Sequence, residues 1–242
     1  MKQILLLIIF LFSHNCSSPN YDPDIGALFI ILCYGSSDLR SQTKTEYERE
    51  FTDLKNGMIL YTSRKIIYSK NACEENYHSG VLNSESQTYY KKCVQGQVYR
   101  SEQNDCKGTG DSSNFYGARQ FAFCNTNDNS CESNSGNADP FSSPAALSCY
   151  NETLYGRSWK IKDVYQYSSY ESKFINYLPE EKFKEYFSEL PKGDTVYFWD
   201  LDSSSSEYAY KYSIDGNGKI NSDKDYKTSS HYVICENSEN EN

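Results

Sequence analysis

The sequence predicts an α+β fold: a small antiparallel sheet with covering helices, stapled by disulfides. Three observations predict it. Near the C-terminus "TVYFWDL" and "EYAYKYSI" alternate with period 2 and are joined by "DSSSS". Just before them, "EEKFKEYFSEL" places Phe183, Phe187 and Leu190 along one helical stripe. Eight cysteines follow position 16, and six of them lie between Cys73 and Cys149.

In chain order, Lys2 supplies a positive charge and Ile4 to Phe12 are nine unbroken apolar residues. That is the length of a signal-peptide core, far short of the ~20 residues that span a bilayer. A buried N-terminal helix would carry a polar face, and this run has none. Ser13, His14 and Asn15 then precede Cys16, without the small-residue pattern that ordinary signal peptidase prefers. The alternative cut lies immediately before Cys16. Its thiol would receive a diacylglyceryl group, and the new amino terminus a further acyl chain. At ~0.8 kcal/mol per buried CH₂, several chains hold a protein firmly where one is marginal. Residues 1–15 then form a signal peptide and residues 16–24 ("CSSPNYDPD") a lipidated tether.

"LFSHNCSS" resembles the relaxed lipobox of spirochaete lipoproteins, which tolerates Asn before the cysteine and a bulky apolar residue, here Phe12, four places back. It departs from the common bacterial lipobox at Asn15 and Ser13. The later cysteine-rich region, full of Tyr and Ser, is similar in composition to the cysteine-rich lipoproteins of those bacteria. The resemblance implies a location rather than a chemistry.

The chain carries 24 basic and 33 acidic residues, a net charge of −9. Without residues 1–15 it keeps 23 basic residues against the same 33, and the charge becomes −10. Such a surface repels phosphate backbones and excludes a nucleic-acid partner. It also gives no electrostatic help on anionic lipid, so attachment depends on the acyl chains. No Pro/Gly linker divides residues 25–242, which reads as a single disulfide-rich domain with a cysteine-rich segment (71–149) and a helix-plus-meander segment (155–236).

Ile25 to Tyr34 is a second apolar run, half the length of a membrane span, and reads as a core helix. Asp38 to Lys55 reads as helix from the spacing of Tyr47, Phe51 and Leu54, ended by the turn signal Asn56-Gly57. "MILYTSRKIIYS" fits helix or strand, with a lean towards helix in its second half. "TYYKKCVQGQVYR" reads as a hairpin turning near Gly96, "ARQFAFC" as a strand, and "NTNDNSCESNSGNADPFSSP" as a loop pinned at Cys131. Ser169 to Leu178 reads as helix, and Pro179 opens a further helix closed by Pro191 and Gly193. "SHYVIC" reads as the third strand of the meander.

If Cys16 carries lipid, the disulfide candidates are Cys33, Cys73, Cys93, Cys106, Cys124, Cys131, Cys149 and Cys235, an even set. Eight cysteines allow 105 pairings, and spacing chooses none of them. Cys33, inside an apolar run, is the candidate for a buried free thiol. Zinc would need Cys73 with His78, or His231 with Cys235, but the close cysteine pairs of zinc fingers are absent.

Three stretches bear on chemistry. "SIDGNGKINSDKD" matches the middle of an EF-hand loop, with Asp215 and Asn217 as weak calcium candidates. Ser213 and Lys224 stand at the first and last ligand positions, so the plainer reading is a hairpin turn. Asp200 and Asp202 share a strand face as paired carboxylates or as solvated edge charges. The 23 tyrosines either form a recognition surface or replace Leu and Val in a thin core.

No catalytic residue and no cofactor is assigned. The expectation is a lipid-anchored, outer-membrane protein of the bacterial envelope with a binding or structural role. Its partners would be the membrane, through palmitate-type chains, and an extracellular or envelope protein. The alternative is an exported hydrolase. A polar pocket holding Asp200 or His231 beside a buried partner would favour the enzyme, and a flat exposed Tyr patch would favour recognition.

Overall fold

The Asn56-Gly57 turn joins two strands. Gly57 takes φ +92° and Lys55 φ +53°, and the Leu54 amide donates to the Met58 carbonyl at 3.1 Å. On either side lie β1 (Gln42–Asp53) and β2 (Met58–Lys70). The helix expected over Asp38–Lys55, and the helical lean of the second half of "MILYTSRKIIYS", are therefore corrected to strand. Tyr47, Phe51 and Leu54 do fall at helical spacing. However, Thr43, Thr45 and Thr52 suit a pleat, and the Phe51 ring lies 4.8 Å from that of Tyr61 across the pair. Long-range pairing overrides a local pattern of this strength.

The computed structural model describes residues 42–70, 76–163 and 179–239. The helices expected over Ile25–Tyr34 and Ser169–Leu178 lie outside them, as do Cys16, Cys33 and Cys73. The chain forms two compact units, residues 1–48 with 64–85, and residues 49–63 with 86–242. In the first, Arg64 Nε donates to Glu85 at 2.6 Å, and the Lys70 ammonium lies 5.0 Å from the centre of the Tyr77 ring.

The remaining elements are β3 (Val81–Lys91), β4 (Tyr99–Arg100), β5 (Asp105–Cys106), β6 (Phe121–Ala122), α1 (Pro144–Tyr150), β7 (Lys160–Ile161), α2 (Glu180–Tyr186), β8 (Tyr197–Ser203), β9 (Tyr208–Ile214), β10 (Ile220–Tyr226), β11 (Ser230–His231) and β12 (Cys235–Glu239). Antiparallel sheet dominates, with few helices and three disulfides. One sheet runs β1-β2-β3-β12-β7 and a second runs β10-β9-β8; β11 pairs with β6, and β4 with β5. "SHYVIC" thus splits between β11 and β12, and the third meander strand is β10. Gly96 does turn the chain, at φ +94°, but the strand after it, β4, pairs with β5, not with β3.

The alternation of the meander decides where the core lies. Phe198, Tyr212 and Ile214 enter one apolar cluster with Ile59, Tyr90 and Phe183. Trp199, Leu201 and Ala209 face the other way into a second cluster with Phe123, Trp159 and Val233. Strands β8 and β9 are therefore buried on both faces, while β10 is an edge. Helix α2 puts Phe183, fully buried, under the β9–β10 turn. There Gly218, at φ +88°, approaches the Phe183 ring so closely that a Cβ would sit 2.8 Å from it, so only glycine fits.

Helix α1 begins at Pro144, the last residue of the stretch read as loop. Ser143 caps it, its hydroxyl accepting from the Ala146 amide at 3.2 Å, and Pro144 takes the first helical position. Among the described residues the disulfides are Cys93–Cys106, Cys124–Cys131 and Cys149–Cys235.

Candidate functional site

Strand alternation collects Tyr197, Trp199 and Lys211 on one face of the meander, and β10 adds Asp223 and Asp225 from the edge. β11 brings His231 to the same place. Asp225 Oδ2 accepts from Lys211 Nζ at 3.0 Å and lies 2.9 Å from His231 Nε2. The ammonium also stands 3.8 Å from the centre of the Tyr197 ring, and the imidazole meets Trp199 edge-on at 4.5 Å. Burial alone would raise the Asp225 carboxyl. Hydrogen bonds from Lys211, from the Tyr226 amide and from His231 outweigh it and bring the pKa down to about 2. Burial pushes His231 below its ordinary value, against the pull of Asp225. At neutral pH the pair is thus a neutral imidazole on an ionised carboxylate. A general base needs that state, but His231 is described with no hydroxyl or thiol to activate. The arrangement ties β10 to β9 and β11.

A second polar cluster lies between the sheets, at one end of the first apolar core. Glu236 of β12 stands in register with Tyr90 of β3 on one side and Lys160 of β7 on the other. Lys162 follows β7, its amide donating to the Ile234 carbonyl at 2.8 Å, which puts its side chain on the same face as Glu236. Lys162 Nζ is 4.0 Å from Glu236 Oε2, and Lys160 Nζ is 3.5 Å from Oε1. Asp163 and Asp200 are buried beside them. Burial lowers the Lys162 ammonium and raises the Glu236 carboxyl, so both are pushed towards their uncharged forms.

A third buried charge is fully satisfied. Lys227 Nζ donates to the Asp128 carbonyl at 3.1 Å, to Asn129 Oδ1 at 3.1 Å and to the Ser206 carbonyl at 2.9 Å, and it pairs with the Glu132 carboxylate. It closes the loop bounded by Cys124–Cys131.

These clusters place the residues singled out from the sequence. Asp200 is buried, and Asp202 is half-buried with its carboxyl raised by burial and by Asp163. Neither is a solvated edge charge; the Leu201 amide donates to Asp200 Oδ1 at 2.7 Å, and Lys160 draws the Asp202 carboxyl down against its burial. Asp215 Oδ1 accepts from the Asn217 and Lys219 amides at 2.8 and 2.9 Å, so this carboxylate shapes the β9–β10 turn. Among the described residues no group of three or more His, Cys, Asp or Glu is placed to hold a metal ion. Cys235, half of one imagined zinc pair, is bonded to Cys149. Among the tyrosines, Tyr61, Tyr90, Tyr186, Tyr212 and Tyr232 are core, while Tyr150, Tyr155 and Tyr226 are exposed. Exposed Phe141 packs edge-on against Tyr150 at 4.9 Å, beside Leu147 on α1.

The sequence reading missed Lys162, Glu236 and Lys227. For Glu236 a signal existed: it stands two places after Ile234 and so on the same face of an apolar strand. For the lysines there was none.

No protein-family model, no curated protein and no solved structure matches the chain.

Proposed function

We propose that the protein is a lipid-anchored lipoprotein of the bacterial envelope, held in the outer membrane, whose folded body has a binding or structural role. The observation that carries this is the apolar run Ile4–Phe12 leading to Cys16 and a polar, proline-bearing tether. Cysteine use supports it. Among the described residues all six cysteines form disulfides, as in exported proteins, and Cys16, Cys33 and Cys73 lie outside them. Acylation of Cys16 leaves an even two. No acidic residue directly follows Cys16 to favour inner-membrane retention. The exposed Phe141, Tyr150 and Leu147 supply amphipathic contact area of the kind recognition surfaces use. The α+β reading, with helices covering the sheet, belongs to the same proposal and draws on the burial of Phe183 and Tyr186 of α2.

The competing hydrolase reading draws on Asp225 and His231, whose imidazole hydrogen-bonds no hydroxyl or thiol among the described residues. Labelled palmitate fed to the native host is expected to enter the protein, and Cys16→Ser to release it from the membrane fraction. Unlabelled protein, or a Cys16→Ser chain that stays equally membrane-bound, would overturn the proposal.

A further inference from the structure

We propose that Asn151 carries an N-linked oligosaccharide whose first sugar lies over Phe141, Leu147 and Tyr150. Asn151-Glu152-Thr153 is an acceptor triplet, an asparagine with a hydroxyl two places on and no proline between. After Cys16, no other asparagine is followed at that distance by Ser or Thr. The fold keeps both ends of the triplet in reach. Asn151 ends α1 with helical backbone, at φ −74° and ψ −3°, and is tied in through its amide, which donates to the Leu147 carbonyl at 3.0 Å. Thr153 opens the following 3₁₀ turn without a side-chain cap. Both residues are exposed, while Glu152 between them is half-buried and pairs with Lys91. The middle residue holds the turn, and the carboxamide and the hydroxyl stand in solvent on either side.

The neighbouring surface supplies a second observation. Leu147 lies one helical turn before Asn151 and so on the same face, and Tyr150 neighbours Leu147 at the i, i+3 spacing. Phe141, 70% exposed, brings its ring to 4.9 Å from that of Tyr150. From Pro140 to Asn151 there is no charged residue, in a chain of which 24% is charged, so nothing here suits an ionic partner. One face of a pyranose presents only C–H groups, which the electron-rich faces of aromatic rings attract, and its hydroxyls turn to water. A bulky, solubilising glycan rooted beside the patch thus covers apolar surface that would otherwise invite association. The contact area of Phe141, Leu147 and Tyr150 is taken by the chain's own sugar, and any binding by this face is made through the outer sugars.

The donor is an oligosaccharide carried on a polyprenyl diphosphate, and the catalyst an oligosaccharyltransferase of the exporting membrane. Asn151 Nδ2 forms a bond to C1 of the first sugar. The C1–O bond breaks, and the lipid diphosphate leaves with the electron pair. One N–H proton passes to a carboxylate of the transferase; nothing is oxidised or reduced. The inference rests on the export that the proposed function also requires, and not on lipid at Cys16.

Mass spectrometry of the full chain purified from its own host tests this. The peptide holding Asn151 is expected to carry the added mass of a sugar chain, and an amidase that splits the glycan from the side chain should leave an aspartate there, about 1 Da heavier than asparagine. Asn151→Gln and Thr153→Ala should each lose the glycan, and Thr153→Ser should keep it. Removing the glycan from the folded protein should raise the binding of an apolar dye, and Phe141→Ser should prevent that rise. A bare Asn151 in the wild-type chain, or a glycan that persists in Thr153→Ala, would overturn the proposal. Dye binding unchanged by deglycosylation would overturn the placement over the rings. The same spectra report on Cys16: acyl chains with a bare Asn151 sink this inference alone, and a glycan on a chain without lipid sinks the anchor alone.

Discussion

Two lysines among the described residues, Lys227 and Lys162, have no exposed surface, yet their regions solve that problem differently. Lys227 sits in a cradle of oxygens from the 128–132 loop and from Ser206, each within ordinary hydrogen-bond reach. Lys162 faces Glu236 across 4.0 Å, among aromatic rings and further carboxyls. In both regions the acid follows a disulfide cysteine directly: Glu132 after Cys131, Glu236 after Cys235. A crosslink therefore fixes each carboxylate. The difference lies in what surrounds the ammonium. Oxygens on several sides replace the hydration of Lys227, whereas burial pushes the Lys162 ammonium towards its neutral form against the pull of Glu236, Asp200 and Asp163. Burial alone does not decide what a lysine does; the geometry of its oxygens does.

The largest effect should come from breaking the crosslink beside Glu236. Cys149 and Cys235 are 86 residues apart. Replacing both by Ser should lower stability by about 4–5 kcal/mol in urea unfolding, on chain-entropy grounds. A loss no larger than that from removing Cys124–Cys131, which spans 7 residues, would remove this distinction between the two regions.

Next comes the cradle. Lys227→Met leaves Glu132 buried without its cation, and breaking a buried pair from one side costs about 3–5 kcal/mol. Adding Glu132→Leu should recover much of it, because the charge then no longer needs a partner. A smaller effect follows from Cys124→Ser with Cys131→Ser. The bond spans 7 residues, so its removal should cost about 2–3 kcal/mol. Combined with Lys227→Met, the total should fall short of the sum, since both changes loosen one loop. Full additivity would show that the disulfide does not hold the cradle.

The contrast also shows where sequence reasoning reaches. Period-2 alternation located β8 and β9, and the stripe of Phe183 and Phe187 located α2, because those residues are buried by the face on which they stand. In β1, Tyr47, Phe51 and Leu54 mimicked a helix, and only the distant Tyr61 made the stretch a strand. Helix α1 was legible in Ser143-Pro144 as cap and first position, but the surrounding Ser, Asn and Asp concealed it. Paired cysteines were expected as a class and not as partners. Lys162, Lys227, Glu132 and Glu236 come from separate parts of the chain, and no local pattern reports that two of them meet. Asp225 and His231 are six residues apart, but their contact depends on β10 being the third meander strand, which "SHYVIC" was read to be.

The smallest effect belongs to that partly exposed cluster. The Asp225 carboxyl titrates at about 2 in the folded protein against 3.8 ordinarily. A carboxyl held low by folding stabilises the fold above its unfolded value and loses that contribution as pH falls through the folded one, here between about 4 and 2. With allowance for partial exposure the loss is on the order of 1–2 kcal/mol. His231 adds an earlier step of the same sign. Burial lowers its pKa, so below about 6.5 the unfolded chain takes up the proton first and stability declines. Unfolding followed from pH 7 to 2 should therefore show two stages. Asp225→Asn should remove the lower and His231→Gln the upper. Either variant should leave the difference between the Lys227 and Lys162 regions unchanged, because neither residue is among their described partners. An unaltered acid profile in Asp225→Asn would show that the carboxylate bound to Lys211 and His231 contributes nothing to the fold.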